Sequence, residues 1–315
     1  MTSNGHTINI LTQTVDKLSE EHSLKGLFHE HLDDDPLPSS KALEEIIEIA
    51  RSILFPGFYG KSSVNLQTLN YHIGVNVEKL HKLLYQQILA GLCIQKPKEC
   101  ESVESVNAIV KKRAKDITTR VIEKLPEVRR VLATDVQAAY NGDPAAVSYG
   151  EIISCYPVIK ALTNYRLAHE IFLEGVPLIP RMITEMAHSE TGIDIHPAAK
   201  IGECFTIDHG TGVVIGATCI IGNSVKLYQG VTLGAKSFPL DAKGNPIKGI
   251  PRHPILEDNV IVYANATILG RVTIGEGCVV GANVWVTRSM KPRTRKYKKD
   301  KQDNLDLEYN NGTGI

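Results

Sequence analysis

The chain has 315 residues, with 35 lysines and arginines against 35 aspartates and glutamates, and this charge balance argues against nucleic acid as the main partner. Its 43% hydrophobic and 22% charged residues are proportions of a globular protein, and the length fits one large domain or two ordinary ones. The opening MTSNGHTINI lacks a basic and then apolar leader, and no apolar run nears the roughly 20 residues of a membrane helix, so a cytoplasmic protein without a membrane role is expected.

Residues 1–40 read as a polar N-terminal extension with an acidic run at Asp33, Asp34 and Asp35. The stretch Pro36–Ser40 suits a helix start. From Lys41 onward the spacing is helical, as in 103–124, where Val103, Val106, Ile109, Val110, Ile117, Val121 and Ile122 recur at helical intervals. Asn141-Gly142-Asp143-Pro144 is a turn signal, with Asp143 able to cap the element that follows. An α-helical domain is therefore expected over 41–193.

Near Ile195 the period changes to six. Ile195, Ile201 and Ile207 fall on it; after a slip of two residues Ile215, Ile221, Leu227 and Leu233 continue. After an interruption come Leu256, Val262, Ile268, Ile274, Val280 and Val286. Small or β-branched residues stand four places later at Ala199, Thr211, Val225, Val231, Ala266 and Val272, and glycine follows the aliphatic at 202, 216, 222, 234, 275 and 281. This is the hexapeptide repeat of a parallel β-helix, each hexad giving a strand and a turn whose backbone glycine permits, with three hexads to a triangular coil. Chance periodicity in a β-rich region is the alternative, and thirteen aliphatic hits with one slip and one loop count against it. The interruption, 235–255, holds Pro239, Gly244, Pro246, Gly249 and Pro251 and reads as a functional loop leaving one corner. The β-helix is expected over 194–290. Residues 291–315 read as a basic flexible tail whose Lys291, Arg293, Arg295, Lys296, Lys298 and Lys299 are expected to be solvated, with contact to ligand phosphates as the other reading. The six cysteines (Cys93, Cys100, Cys155, Cys204, Cys219, Cys278) form no CxxC pair and read as reduced thiols rather than zinc ligands or disulfides; no metal is expected.

The segments GDPAA (142–146), YRLAHEIFLEGVPLIPRMITEMAHSETGIDIHP (165–197), DIHPAAKIG (194–202), IDHGTGVVIG (207–216), YQGVTLGA (228–235) and PRHPILED (251–258) closely resemble serine O-acetyltransferases. The likeness covers about 41–290, and the long loop before PRHP resembles one subgroup. It implies an α+β chain, an α-helical N-terminal domain followed by a left-handed parallel β-helix of hexapeptide repeats. It also implies transfer of acetyl from acetyl-CoA to the hydroxyl of L-serine, the first step of cysteine biosynthesis.

A serine hydroxyl needs a general base at neutral pH, and histidine suits that work. His209 matches the catalytic histidine of the family and Asp194 its orienting carboxylate; spacing alone does not show that they touch. Asp143 and Asp208 match the carboxylates that bind the substrate ammonium, with a helix cap as the other reading of Asp143. Arg252 and His253 match the groups that hold the substrate carboxylate, a task for which a guanidinium fork is suited; a loop-closing surface charge is the other reading of Arg252. Gly234, Ala235, Tyr263 and Ala264 match the acetyl-CoA groove between subunits, and Gly234 could equally be a plain turn glycine. His169, His188 and His196 are assigned structural roles. The resemblance further implies a homotrimer or dimer of trimers, inhibition by L-cysteine, and docking of the C-terminal Ile315 on O-acetylserine sulfhydrylase. In one place the chain departs from the pattern: Ala217 stands where the family carries an acidic residue. Two other readings remain open: another hexapeptide O-acyltransferase acting on a sugar or homoserine, against which GDPAA and PRHP argue, and a regulatory subunit, against which the His209–Asp194 pair argues.

Overall fold

The computed structural model describes residues 3–28, 35–60, 63–94 and 103–298. Asp33, Asp34, Cys100, Lys299 and Ile315, all invoked above, lie outside the described residues. The chain divides into two compact units, Met1–Pro36 and Leu37–Ile315. The first holds α1 (Ser3–Ser19) and α2 (Glu21–Leu24). The polar extension is thus helical, and Ile8, Leu11, Val15 and Leu18 recur along α1 as exposed side chains.

The second unit opens with α3 (Ser40–Leu54), α4 (Leu69–Ile94), α5 (Val103–Gly142), α6 (Tyr149–Cys155), α7 (Pro157–Leu173) and α8 (Ile179–Thr191). Ser39 starts α3, its hydroxyl accepting the Ala42 amide. Pro157 occupies the first turn of α7, where its missing N–H costs nothing. Gly192 ends α8 in the left-handed conformation at φ 71°, as helix C-termini favour. Ser148 caps α6 by accepting the Glu151 amide, so Asp143 does not cap the next helix; it is six residues from the first turn of α6 and is used differently. Among the described residues no helix is long and apolar enough to cross a membrane.

Helices and solenoid are joined through a buried ion pair. Arg166 on α7 donates to Asp135 on α5 through Nε (2.7 Å) and Nη2 (2.9 Å), and Nη2 also reaches the Gly202 carbonyl. Asp135 Oδ1 accepts the Phe205 amide. Burial pushes the Asp135 carboxyl above its usual range against the pull of Arg166.

The solenoid is a parallel stack of three faces. The first carries β1 (Asp194–Ile195), β4 (Val214–Ile215), β7 (Thr232–Gly234), β10 (Thr267–Leu269) and β13 (Trp285–Val286). The second carries β2 (Lys200–Ile201), β5 (Ile220–Ile221), β8 (Ile255–Leu256) and β11 (Thr273–Ile274). The third carries β3 (Thr206–Asp208), β6 (Lys226–Tyr228), β9 (Ile261–Val262), β12 (Val279–Val280) and β14 (Arg295–Lys296). Of the hexad aliphatics all but Ile201 are buried, most with no exposed surface. Each fully buried aliphatic contributes roughly 1.5–3 kcal/mol of transfer free energy.

Several readings of the sequence change here. The slip of two residues falls between β3 and β4; it moves Thr211 to the surface and gives its inward place to Val213. The glycines at 202, 216, 222, 234, 275 and 281 do not have positive φ. What they require is room: a Cβ at Gly216 would lie 2.1 Å from the His253 ring, and one at Gly275 2.5 Å from Pro292. The left-handed corners fall instead to Cys204, His209, Ser224, Asn259, Asn265, Asn283 and Arg293, and to other glycines, Gly210, Gly212, Gly230, Gly270 and Gly277. Finally, the basic tail does not leave the body at Lys291. Arg295–Lys296 form β14 on β12, and just before it the Gly275 amide and Cys278 Sγ donate to the Met290 and Lys291 carbonyls. The interruption spans 235–254, since Ile255 already pairs in β8. It folds back on itself through Leu240 and Pro246, with Asp241 Oδ1 accepting the Lys243 and Asn245 amides.

Candidate functional site

The chain passes from third to first face through 209–213, 229–231, 263–266 and 281–284, and from first to second through 196–199, 216–219, 235–254 and 270–272. The site residues expected from sequence divide between these two edges.

On the third-to-first edge, the two-residue insertion after β3 throws out His209. Its φ is 57°, a region that histidine enters more readily than most non-glycine residues and that clusters at functional sites. The imidazole is well exposed, and its Nε2 lies 3.8 Å from Asp208 Oδ1. Asp143 follows the end of α5. Its Oδ1 accepts the Ala145 amide at 2.8 Å and its Oδ2 the Tyr156 hydroxyl at 2.5 Å. These two hydrogen bonds, Tyr156 first, hold the Asp143 carboxyl below its usual range. Asp143, Tyr156, Asp208 and Lys226 line one small recess. Lys226 Nζ is 3.2 Å from Asp208 Oδ2, donates to the Gly142 carbonyl at 2.6 Å, and stands 4.5 Å above the Tyr228 ring. Below, Tyr228 and Tyr263 stack at 4.9 Å with 14° between planes, and Ala264 follows Tyr263 on this edge.

On the first-to-second edge sit Arg252 and His253, at the end of the 235–254 loop, with Gly234 and Ala235 at its start. Thr218 organises this corner. Its hydroxyl oxygen accepts the amides of Arg252 (2.9 Å) and His253 (3.1 Å), and the His253 Nδ1 accepts the Thr218 amide (3.1 Å) and lies 2.8 Å from the Thr218 hydroxyl. An Nδ1 that accepts an amide hydrogen carries no proton, so the neutral ring bears its proton on Nε2. Burial, then the neighbouring charges of Arg252, His196 and Arg271, pull the His253 pKa down to about 4; at neutral pH it is an uncharged Nε2–H donor. Ala217 lies between Gly216, which the ring covers, and Thr218.

Among the described residues Asp194 makes no ion pair with His209. Its carboxylate accepts from Arg181 Nη1 at 3.1 Å, and Arg181 also pairs with Glu185. Glu185, His188 and Asp194 lie close enough together to share a cation, and the Arg181 guanidinium already pairs with both carboxylates. His169 Nδ1 donates to the Pro197 carbonyl, His196 Nδ1 accepts the Ala198 amide, and His188 Nδ1 pairs with Glu185.

Sequence reasoning missed Tyr156, Lys226, Thr218 and Arg181. Tyr156-Pro157 signals only a helix start. Lys226 meets Gly142 across 84 residues, a distance at which no spacing rule operates.

Within one chain, then, the two expected halves of the amino-acid site lie on different edges of the prism, as do the two halves of the expected acyl-donor site. One face separates them, at most about 20 Å for a hexad of fully extended chain.

Residues 253–288 match the family model for the bacterial transferase hexapeptide (six repeats). A plasmid-encoded serine acetyltransferase of Synechococcus elongatus is 49% identical over 282 residues, 89% of this chain and 88% of that one. A serine acetyltransferase of Bacillus licheniformis is 44% identical over 153 residues, 49% of this chain and 67% of that one. Among solved structures, serine acetyltransferase 1 of Entamoeba histolytica in complex with L-cysteine superposes with a TM-score of 0.70 at 33% identity, covering 90% of this chain and 94% of that one.

Proposed function

The chain belongs to the serine acetyltransferase family, and from that premise we propose that it assembles its active sites between copies, each from the third-to-first edge of one and the first-to-second edge of the next. The observation that carries this reading is the separation of Asp143, Asp208 and His209 from Arg252 and His253 within one chain. A triangular prism with complementary edges suits closed three-fold packing, so the active form is a trimer, alone or as a pair of trimers.

The enzyme transfers acetyl to serine. In this reading Asp143 and Asp208 bind the serine ammonium, and Arg252 with the neutral Nε2–H of His253, both from the neighbouring copy, bind its carboxylate. His209 removes the hydroxyl proton as the serine oxygen attacks the thioester carbon of acetyl-CoA. Collapse of the tetrahedral adduct breaks the C–S bond, and the imidazolium returns the proton to the CoA sulfur. Asp194 steadies the imidazolium by exchanging its Arg181 partner for His209. Gly234 and Ala235 of one copy and Tyr263 and Ala264 of the next line the groove for the acyl donor. The E. histolytica relative was solved with L-cysteine, which has the ammonium and carboxylate of serine; cysteine is therefore proposed to compete with it. A cytoplasmic location and docking of Ile315 on a sulfhydrylase complete the proposal, and both rest on the sequence resemblance.

Complementation tests the shared site. At serine well below the wild-type KM, His209→Asn and Arg252→Ala are each expected to be nearly inactive alone. Mixed after subunit exchange, they regain up to about a quarter of wild-type activity, because random pairing in a closed ring joins the two intact edges once in about four sites. Light scattering on the wild type should give a mass at least three times the 34.6 kDa chain. A monomeric mass, or two inactive variants that never complement, defeats the reading.

With Arg252→Ala alone, KM for serine and Kd for cysteine should rise together by at least about 30-fold, the scale of a lost charge-assisted bond of about 2 kcal/mol. Steady-state kinetics and calorimetry read the two; a normal serine KM would remove Arg252 from the carboxylate site.

A further inference from the structure

Lys226 has no role in the chemistry just described, yet it stands inside the ammonium-binding half of the site. Its Nζ is 3.2 Å from Asp208 Oδ2, the group proposed to bind the substrate ammonium, and 2.6 Å from the carbonyl of Gly142, the residue before Asp143. The side chain is only 17% exposed. Burial alone would lower its pKa, but Tyr228 and Asp208 outweigh that and the net shift is upward, so the ammonium is charged at neutral pH. It also lowers the Asp143 pKa, after the larger effects of Tyr156 and Ala145. Two carboxylates thus face one resident cation before any substrate arrives.

We infer that Lys226 is an affinity-setting residue that competes with the amino-acid ammonium for Asp208, holding serine and cysteine binding below what the two carboxylates could otherwise give. The inference rests on the amino-acid site proposed above. A substrate ammonium that reaches both Asp143 and Asp208 comes within about 5 Å of Nζ, where like-charge repulsion in a partly buried site is worth more than tenfold in affinity. Lys226 does not touch the reacting atoms in this account; it acts through Asp208. Its second contact, to Gly142, keeps it in place when the substrate competes, because one of its donors remains satisfied.

The test uses the full-length wild type, Lys226→Gln and Lys226→Arg, with calorimetry of L-cysteine binding and steady-state kinetics in L-serine. Glutamine keeps an N–H donor for the Gly142 carbonyl and removes the charge; arginine keeps the charge. A wild type that neither acetylates serine nor binds cysteine would sink the parent reading before Lys226 is at issue. With an active wild type, Lys226→Gln should bind cysteine at least about tenfold more tightly and show a serine KM lower by a similar factor. The change should be carried by KM rather than kcat, a split that a merely structural brace would not give. Lys226→Arg should stay within about threefold of wild type. Unchanged or weaker cysteine binding by folded Lys226→Gln overturns the inference. Lys226→Met serves as a second neutral variant if the glutamine variant does not fold; failure of both to fold would make Lys226 a structural brace and overturn it equally.

Discussion

Replacing His209 is expected to lower kcat by at least about 100-fold, the usual scale for loss of a general base. The choice of replacement matters because His209 holds a φ of 57°. Alanine there carries a backbone penalty of roughly 1–2 kcal/mol, whereas asparagine enters the left-handed region readily. His209→Asn therefore separates chemistry from folding. The imidazole is mostly exposed and packs on nothing the core needs, so the thermal midpoint should move little while turnover collapses. Thiol release from acetyl-CoA with serine in excess measures the loss. Near-full turnover in a folded His209→Asn protein would mean that another group takes the hydroxyl proton.

The largest effect on stability is expected at the ion pair between helices and solenoid. Arg166→Met leaves Asp135 with no exposed surface and only the Phe205 amide as partner. Breaking one side of a buried pair costs about 3–5 kcal/mol, which for a domain of this size lowers the unfolding midpoint by roughly 10 °C. Adding Asp135→Asn to Arg166→Met should recover a large part of the loss, since the cost lies in the orphaned charge rather than in the missing attraction. Scanning calorimetry of both variants decides it. A single variant that melts with the wild type would show that water or protonation of Asp135 relieves the charge at little cost.

The period of six was legible because it is imposed by the core: a residue such as Leu227 or Ile268 must point inward once per side, and only aliphatics serve. The insertion before β4 was legible as a phase slip, though its meaning was not; it is the corner that carries His209. The glycines were read correctly as necessary and for the wrong reason. Conformational freedom and close approach select the same residue, and only neighbours such as His253 above Gly216 distinguish them. Asp143 was legible as a residue at a turn, while its partner Tyr156 was not, since that contact depends on how α5 and α7 meet. Lys226 was invisible for a similar reason: an outward strand position tolerates any polar side chain, so its identity carries no pattern. The start of the tail was misread because a run of lysine and arginine looks solvated whether or not its backbone is paired, as it is in β14.

The 235–254 loop bears on how the solenoid tolerates change. Above it, coil partners are 18 to 20 residues apart, as with Asp194 and Val214 or Val214 and Thr232; across it, Ile220 and Ile255 are 35 apart. Closure entropy grows only with the logarithm of length, about 0.6 kcal/mol for each doubling. The extra segment therefore taxes the fold by about that much, less than one buried aliphatic returns. Because it leaves and rejoins at the same corner, the strands after it keep their register: Thr267 meets Thr232 and Ile255 meets Ile220. The length and composition of this excursion are thus nearly independent variables, free to drift or be engineered while Arg252 and His253, anchored by Thr218 at its far end, stay where they are.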